Sequence, residues 1–363
     1  MEEDFISLCA EGDLAKVKQY LQLNPTINIS FNDVDAFRHA CFYGHLEVAQ
    51  WLLQVCPTMD ISANDERTFC IACENGHLHV AQWLDQVSKE RGQDINISAR
   101  NEYAFHWACS NGHLHVAQWL LLISKDIYIS ASDESAFCYA CENGHLEVVK
   151  WLLQVSKKKG QPINILPNGD AFSAACENGH LHVAQWLLQV SKERGQDIDI
   201  LADDVAFNLA CSNGRLEVAK WLLQVSNERG QDIIISANNN RAFRLACRKG
   251  HLHVAQWLLQ VSKERGQCIH ISAKKEEAFR CACKNGHIHV AKWLQQMKPY
   301  LYVIEYDENG NYKDYRIRDK EEANWQKRKY LVWLASNHCP EENKHNLLYK
   351  LPSDVSRLII LNL

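Results

Sequence analysis

Apolar and polar positions follow one pattern that returns along most of the chain. The glycines before His-Leu or its equivalent (Gly12, Gly44, Gly76, Gly112, Gly144, Gly179, Gly214, Gly250, Gly286) are spaced 32, 32, 36, 32, 35, 35, 36 and 36 residues apart. A Phe stands seven residues before each glycine, from Phe5 to Phe279, and a Cys three before, from Cys9 to Cys283. In one unit Phe37, Ala40 and Cys41 lie three and four apart, a single apolar stripe on a short helix. The glycine ends that helix, because the left-handed conformation of a helix C-terminus carries no Cβ clash there. A second helix follows, in which Leu46, Val48, Ala49, Trp51 and Leu52 are apolar at helical spacing. Its Trp recurs seven after the glycine from Trp51 to Trp293, a regularity that indicates packing. Ile95-Asn-Ile97 and Ile127-Tyr-Ile129 then alternate with a period of two, which predicts an extended finger. Asp33, Asp65, Asn101, Asp133, Asn168, Asp203 and Asn239 stand four before the Phe and are expected to cap the first helix of their units. Five units insert Lys-Glu-Arg-Gly-Gln or a close relative after the second helix, predicting an added outer turn. Periods of this length define a solenoid, in which each unit buries its apolar face against its neighbours.

The two ends depart from the pattern. In the first unit Lys16 and Gln19 replace the Val and Trp of later units, giving repeat 1–30 a polar outer face. After Met297 come two alternating segments around Asn309-Gly310, which predict a hairpin with a type I′ turn. A helix from Lys320 to about Ser336 is expected to offer Tyr330, Leu331, Trp333 and Leu334 to the last repeat.

The recurring Ala-Cys-x-Asn-Gly-His-Leu-x-Val-Ala-Gln-Trp-Leu-Leu, followed by Gly-Gln-Asp-Ile-Asn-Ile, resembles the ankyrin repeat over about residues 5 to 297. The family's Thr-Pro-Leu-His start is replaced by x-Ala-Phe-x, and its finger glycine is missing. The resemblance implies an all-α solenoid of about nine helix-pair repeats with short extended fingers over 1–297. Residues 298–363 would then form the C-terminal hairpin and helical cap. Long arrays with Phe and Cys in these places are similar to those of large DNA viruses of amoebae, which implies a place in host cytoplasm.

Composition narrows the function. The 363 residues are 47% hydrophobic and 23% charged with a net charge of −5, which does not suit a protein built to neutralise nucleic-acid phosphates. The acidic start lacks a signal-peptide core and no run reaches a membrane span, so a cytoplasmic protein away from membranes is expected. Fifteen cysteines could suggest disulfides, but nine of them are the pattern's own. Cys73, His77 and His79 invite a metal reading, yet the pattern places them on a helix, a loop and an outward position held by Glu in Glu47, Glu147 and Glu217. Cys70-Ile-Ala-Cys73 and Cys138-Tyr-Ala-Cys141 look like redox half-sites, but their second cysteine is again the pattern's. No metal, cofactor or catalytic constellation is expected, and the chain reads as a non-enzymatic monomer.

Chemistry that varies between units remains. The position after the Phe is Arg38, Cys70, His106, Cys138, Ser173, Asn208, Arg244 or Arg280. The ankyrin resemblance puts it, the finger tips and the residues before the glycine on a concave, partner-binding face. Early and middle units carry acids there (Asp33, Asp35, Asp65, Glu66, Glu74, Asp133, Glu134, Glu142, Asp170, Glu177, Asp203, Asp204) and the aromatics Phe42, Tyr43, Tyr103 and Tyr139 beside His106. The last two carry Arg241, Arg244, Arg248, Lys249, Lys274, Lys275, Arg280 and Lys284. The expectation is a scaffold for a protein partner of opposite charge asymmetry. Leu351, Pro352, Asp354, Val355 and Ile359 resemble the opening of an F-box of the kind found at the end of poxviral ankyrin proteins. That resemblance implies an alternative, a substrate adaptor that recruits the adaptor subunit of a cullin-type ubiquitin ligase; an amphipathic helix closing the solenoid is the plainer reading.

Overall fold

The computed structural model describes residues 1–29, 31–129, 131–165, 170–195, 198–200 and 205–337. The chain forms two compact units, Met1–Ile200 and Leu201–Leu363. Unit 1 is six helix pairs: α1 (Glu2–Glu11) with α2 (Leu14–Leu23), α3 (Phe31–Phe42) with α4 (Leu46–Val55), α5 (Ala63–Glu74) with α6 (Leu78–Glu90), α7 (Ala99–Ser110) with α8 (Leu114–Ile123), α9 (Ala131–Glu142) with α10 (Leu146–Lys158), and α11 (Asp170–Asn178) with α12 (Leu181–Glu193). Unit 2 has α13 (Val205–Ser212) with α14 (Leu216–Glu228), α15 (Ala237–Arg248) with α16 (Leu252–Glu264) and α17 (Ala273–Lys284) with α18 (Ile288–Met297), then the hairpin β1 (Tyr302–Tyr306) and β2 (Tyr312–Ile317), and α19 (Lys320–Asn337). The first helices of successive pairs pack side by side, α1 to α11 in unit 1 and α13 to α17 in unit 2.

The apolar pattern explains the stacking. Phe37, Ala40, Cys41, Val48, Ala49 and Leu52 are fully buried, and each later unit repeats the set. Burying a Phe, Val or Leu side chain contributes roughly 1.5–3 kcal/mol, so every interface is strongly apolar. Within the compact units, among the described residues, the Phe of one repeat meets the Trp of the next at a tilted ring contact in five places, among them Phe37 with Trp83 and Phe69 with Trp119 at 6.1 Å and Phe207 with Trp257 at 6.3 Å, whereas Phe5 stacks on Tyr20 of its own repeat. Between the helices the glycine has positive φ, and the amide of the next residue reaches back five residues, as His45 N to Ala40 O at 2.8 Å. The fingers alternate as expected: Ile127 and Ile129 are buried and Tyr128 is exposed between them. The inserted units have second helices of 13 residues where α4 and α8 have 10, so the insert does add an outer turn. It also reaches neighbours: Gln161 Oε1 accepts from the Ile129 amide at 2.8 Å, and Gln267 Oε1 from the Ile235 amide at 2.7 Å.

Two local expectations meet a different backbone. Asn239 does not cap α15; with Asn238 and Asn240 it forms a left-handed turn at φ 51 to 59, and Lys274, Lys275 and Glu276 repeat it in α17. The side chains of Asp33, Asp65, Asn101 and Asp133, and residues Asn168 and Asp203, lie outside the described residues. The hairpin tip is not a two-residue type I′ turn, which needs positive φ at both central residues. Only Gly310 has it, at φ 80; Asp307 instead accepts from the amides of Asn309 and Asn311 at 2.9 and 2.8 Å and shapes a five-residue loop. The side chains of Tyr330, Leu331, Trp333 and Leu334 also lie outside the described residues, and the hairpin supplies a lid for the last repeat. Tyr302 stacks on Phe279 at 4.1 Å and 7°, where the next unit's Trp would stand, and its hydroxyl donates to the Glu276 carboxylate.

Candidate interaction surface

Many of the His and Cys side chains are spent between or within repeats. Where a histidine follows the repeat glycine, its ring lies over the glycine of the preceding repeat, so a Cβ at Gly44 would fall 2.5 Å from His77 Nδ1. His77 Nε2 donates to Phe42 O at 2.9 Å, as His45 Nε2 does to Ala10 O. The second histidine is bound as well: His79 Nε2 donates to Gly44 O at 3.0 Å, with the same contact from His115 to Gly76 and from His289 to Gly250. His79 is therefore an inter-repeat staple and not only a solvated position. Cys73 is buried away from both rings, and burial pushes its thiol well above the ordinary range. The same cause takes Cys9 up to about 12 and raises Cys141 too, so neither Cys-x-x-Cys pair ends in a thiolate. Among the described residues no three His, Cys, Asp or Glu side chains group as a metal site requires.

In unit 1 the first helices present an aromatic run. Tyr103 on α7 lies 5.7 Å from Trp107, and Trp107 stacks on Tyr139 of α9 at 6.2 Å and 11°. Trp107 is 36% and Tyr139 45% exposed, large apolar area left uncovered on neighbouring helices. The Tyr103 hydroxyl donates to Glu74 Oε2 at 3.1 Å, tying the run to α5 and raising the phenol's pKa through burial and that carboxylate. Trp107 is absent from the sequence-derived set. Its position, two after the Phe, is Tyr139 in the next unit, and that recurrence is the signal that could have found it. Phe42 and Tyr43 form a second exposed pair at the end of α3, edge to face at 4.7 Å. His106 sits behind this face, 9% exposed, and burial holds its imidazole below the usual range. Of the acids, Asp35 is buried in an ion pair with Arg38, and Glu66 is buried with Oε1 3.5 Å from the Asn96 amide. The side chains of Asp133, Glu134 and Asp170, and residues Asp203 and Asp204, lie outside the described residues.

In unit 2 the basic residues divide into two groups. Arg244 Nε donates to Asn239 O at 2.9 Å and its NH2 to Asn238 O at 3.2 Å, while NH1 pairs with Glu277. Arg280 repeats this on the α17 turn, with Nε to Lys275 O at 2.8 Å. Both guanidiniums thus hold the ends of left-handed turns, as the carbonyls of a helical turn that does not continue require partners. Lys249 donates to Asn213 Oδ1 at 2.6 Å. Arg241, Arg248, Lys274, Lys275 and Lys284 are exposed on the same helices.

Leu351, Pro352, Asp354, Val355 and Ile359 lie outside the described residues. No helix among the described residues is long and apolar enough to cross a membrane.

Comparison with known proteins agrees with the geometry. The family model described as "Ankyrin repeats (3 copies)" matches residues 69–165, 105–202 and 207–304, together more than half of the chain. No curated protein matches the sequence. Among solved structures, the human ASB11 ankyrin repeat domain is similar at 19% identity and a TM-score of 0.41, over 61% of this chain and 96% of that one. With repeat spacing, helix-pair architecture and family model in agreement, the chain belongs to the ankyrin-repeat family.

Proposed function

We propose that the protein is a non-enzymatic scaffold that binds a protein partner along its first-helix face, with Tyr103, Trp107 and Tyr139 as the anchor in unit 1. Ankyrin repeats mediate protein–protein interaction and are typically without catalysis. The observation that carries the reading is the stacked, exposed run on α7 and α9. Trp and Tyr dominate binding energy at interfaces, because a rigid ring buries much area at little conformational cost. The Phe-Trp rings of the lattice, by contrast, are already used between units. Phe42 and Tyr43 offer a flanking contact.

The test is tandem affinity purification of the full chain from cells that express it, beside a Trp107→Ala, Tyr139→Ala double variant of matched thermal stability. A protein recovered in stoichiometric amount with the wild type and lost with the variant supports the reading. The same protein recovered equally with both refutes it.

A further inference from the structure

We infer that unit 2 carries a separate docking groove for an acidic peptide segment, one that places a carboxylate beside an aliphatic side chain. The groove lies between α13, α15 and the left-handed turn that opens α17, and encloses ≈ 580 Å³. That is the size of a site for a few side chains, not a flat contact. Its lining is mixed: Leu209, Leu245 and Val205, the last of these exposed, supply aliphatic surface beside the amide side chains of Asn208, Asn238 and Asn239. It also carries Arg241 and Lys274, both exposed, and among the described residues no acidic side chain lines it.

The rest of the local chemistry keeps these two cations available. Arg244 also lines the groove, but Glu277 and the Asn238 and Asn239 carbonyls use its guanidinium, so it shapes the wall and brings little net charge. Neither Arg241 nor Lys274 is in an ion pair among the described residues. Arg241 can grip a carboxylate with two parallel N–H bonds, and Lys274 adds a point charge. A nucleic-acid strand suits the groove poorly: among the described residues no aromatic ring lines it for a base to stack on, and Val205, Leu209 and Leu245 offer contact to an apolar side chain instead. The site is independent of the aromatic run in unit 1, so each can fail without the other.

The experiment is fluorescence anisotropy on the full chain with a fluorescein-labelled peptide bearing Leu-Glu pairs spaced by Gly and Ser. Controls are the same peptide with Gln for Glu, the same with Lys for Glu, and a labelled oligothymidine. The Glu peptide is expected to bind saturably and to weaken several-fold between about 50 and about 300 mM salt, as exposed charges are screened. It should weaken about tenfold, the equivalent of ~1.4 kcal/mol, in the Arg241→Gln, Lys274→Gln double variant, and stay unchanged in Trp107→Ala. Failure of the Glu peptide to bind, equal binding of the Gln peptide, an unaffected double variant, or tighter binding of oligothymidine would each overturn the inference. The salt and peptide arms use unaltered protein, so they decide the matter even if the double variant folds poorly.

Discussion

Two glycines of the same conformation separate strain from stapling. Gly44 and Gly92 both have positive φ, 80 and 68, but a Cβ at Gly44 meets the His77 ring while one at Gly92 meets nothing within 4 Å. Gly92→Ala should cost about 1–2 kcal/mol, the penalty of a left-handed L-residue. Gly44→Ala carries that penalty and also displaces His77 from the Phe42 carbonyl, a further loss of about 1 kcal/mol. Thermal unfolding should therefore rank Gly44→Ala clearly below Gly92→Ala, and equal melting temperatures would contradict the staple. The rings also titrate. Burial lowers the pKa of His77, His113, His145 and His251 from the ordinary 6.5, so the unfolded chain takes up protons first on acidification. Their contribution is complete above 6.5 and is lost as the pH falls from there toward the folded values. The melting temperature should drop through that window, and His77→Gln, which keeps an N–H donor, should flatten the drop.

At the scale of elements, a ring of the hairpin covers the last repeat. Tyr302 occupies the place of the next unit's Trp against Phe279 and is fully buried. Tyr302→Ala should cost about 3–5 kcal/mol, the usual loss for a large buried aromatic. Hydrogen exchange should speed up selectively in α17 and α18; uniform protection there would show that the hairpin is not the lid. The left-handed turns make a second case. Lys275 sits at φ 57, a conformation that glycine adopts without the Cβ penalty. Lys275→Gly should thus stabilise unit 2 by about 1 kcal/mol in urea unfolding, provided Arg280 keeps its bond to the carbonyl of residue 275. Loss of stability would show that the turn is not strained.

Across the whole molecule, what could be read in the sequence was what local physics writes there. The period, the Gly caps, the buried Phe-Cys-Val-Leu set and the longer outer helices follow from spacing and backbone preference within one unit. The second histidine's bond was hidden because its partner carbonyl lies 35 to 39 residues away, and exchange with Glu made it look merely solvated. Arg244 and Arg280 counted as surface charge because residue type does not tell a guanidinium held by carbonyls from one offered to water. Trp107 is easily missed because its position also holds His39, Ile71, Ala174, Leu209, Leu245 and Cys281, so the single aromatic recurrence at Tyr139 is a weak mark against that variety. The repeated residues build the stack, and the varying ones are left to meet a partner. The most direct test of that division is calorimetric titration of the purified partner into the wild type, into Trp107→Ala, and into Leu122→Ser, a change at an outer-helix side chain that is 79% exposed. Trp107→Ala should weaken binding at least tenfold, ~1.4 kcal/mol or more, with Leu122→Ser unchanged. Undiminished affinity in Trp107→Ala, or a loss confined to Leu122→Ser, would contradict it.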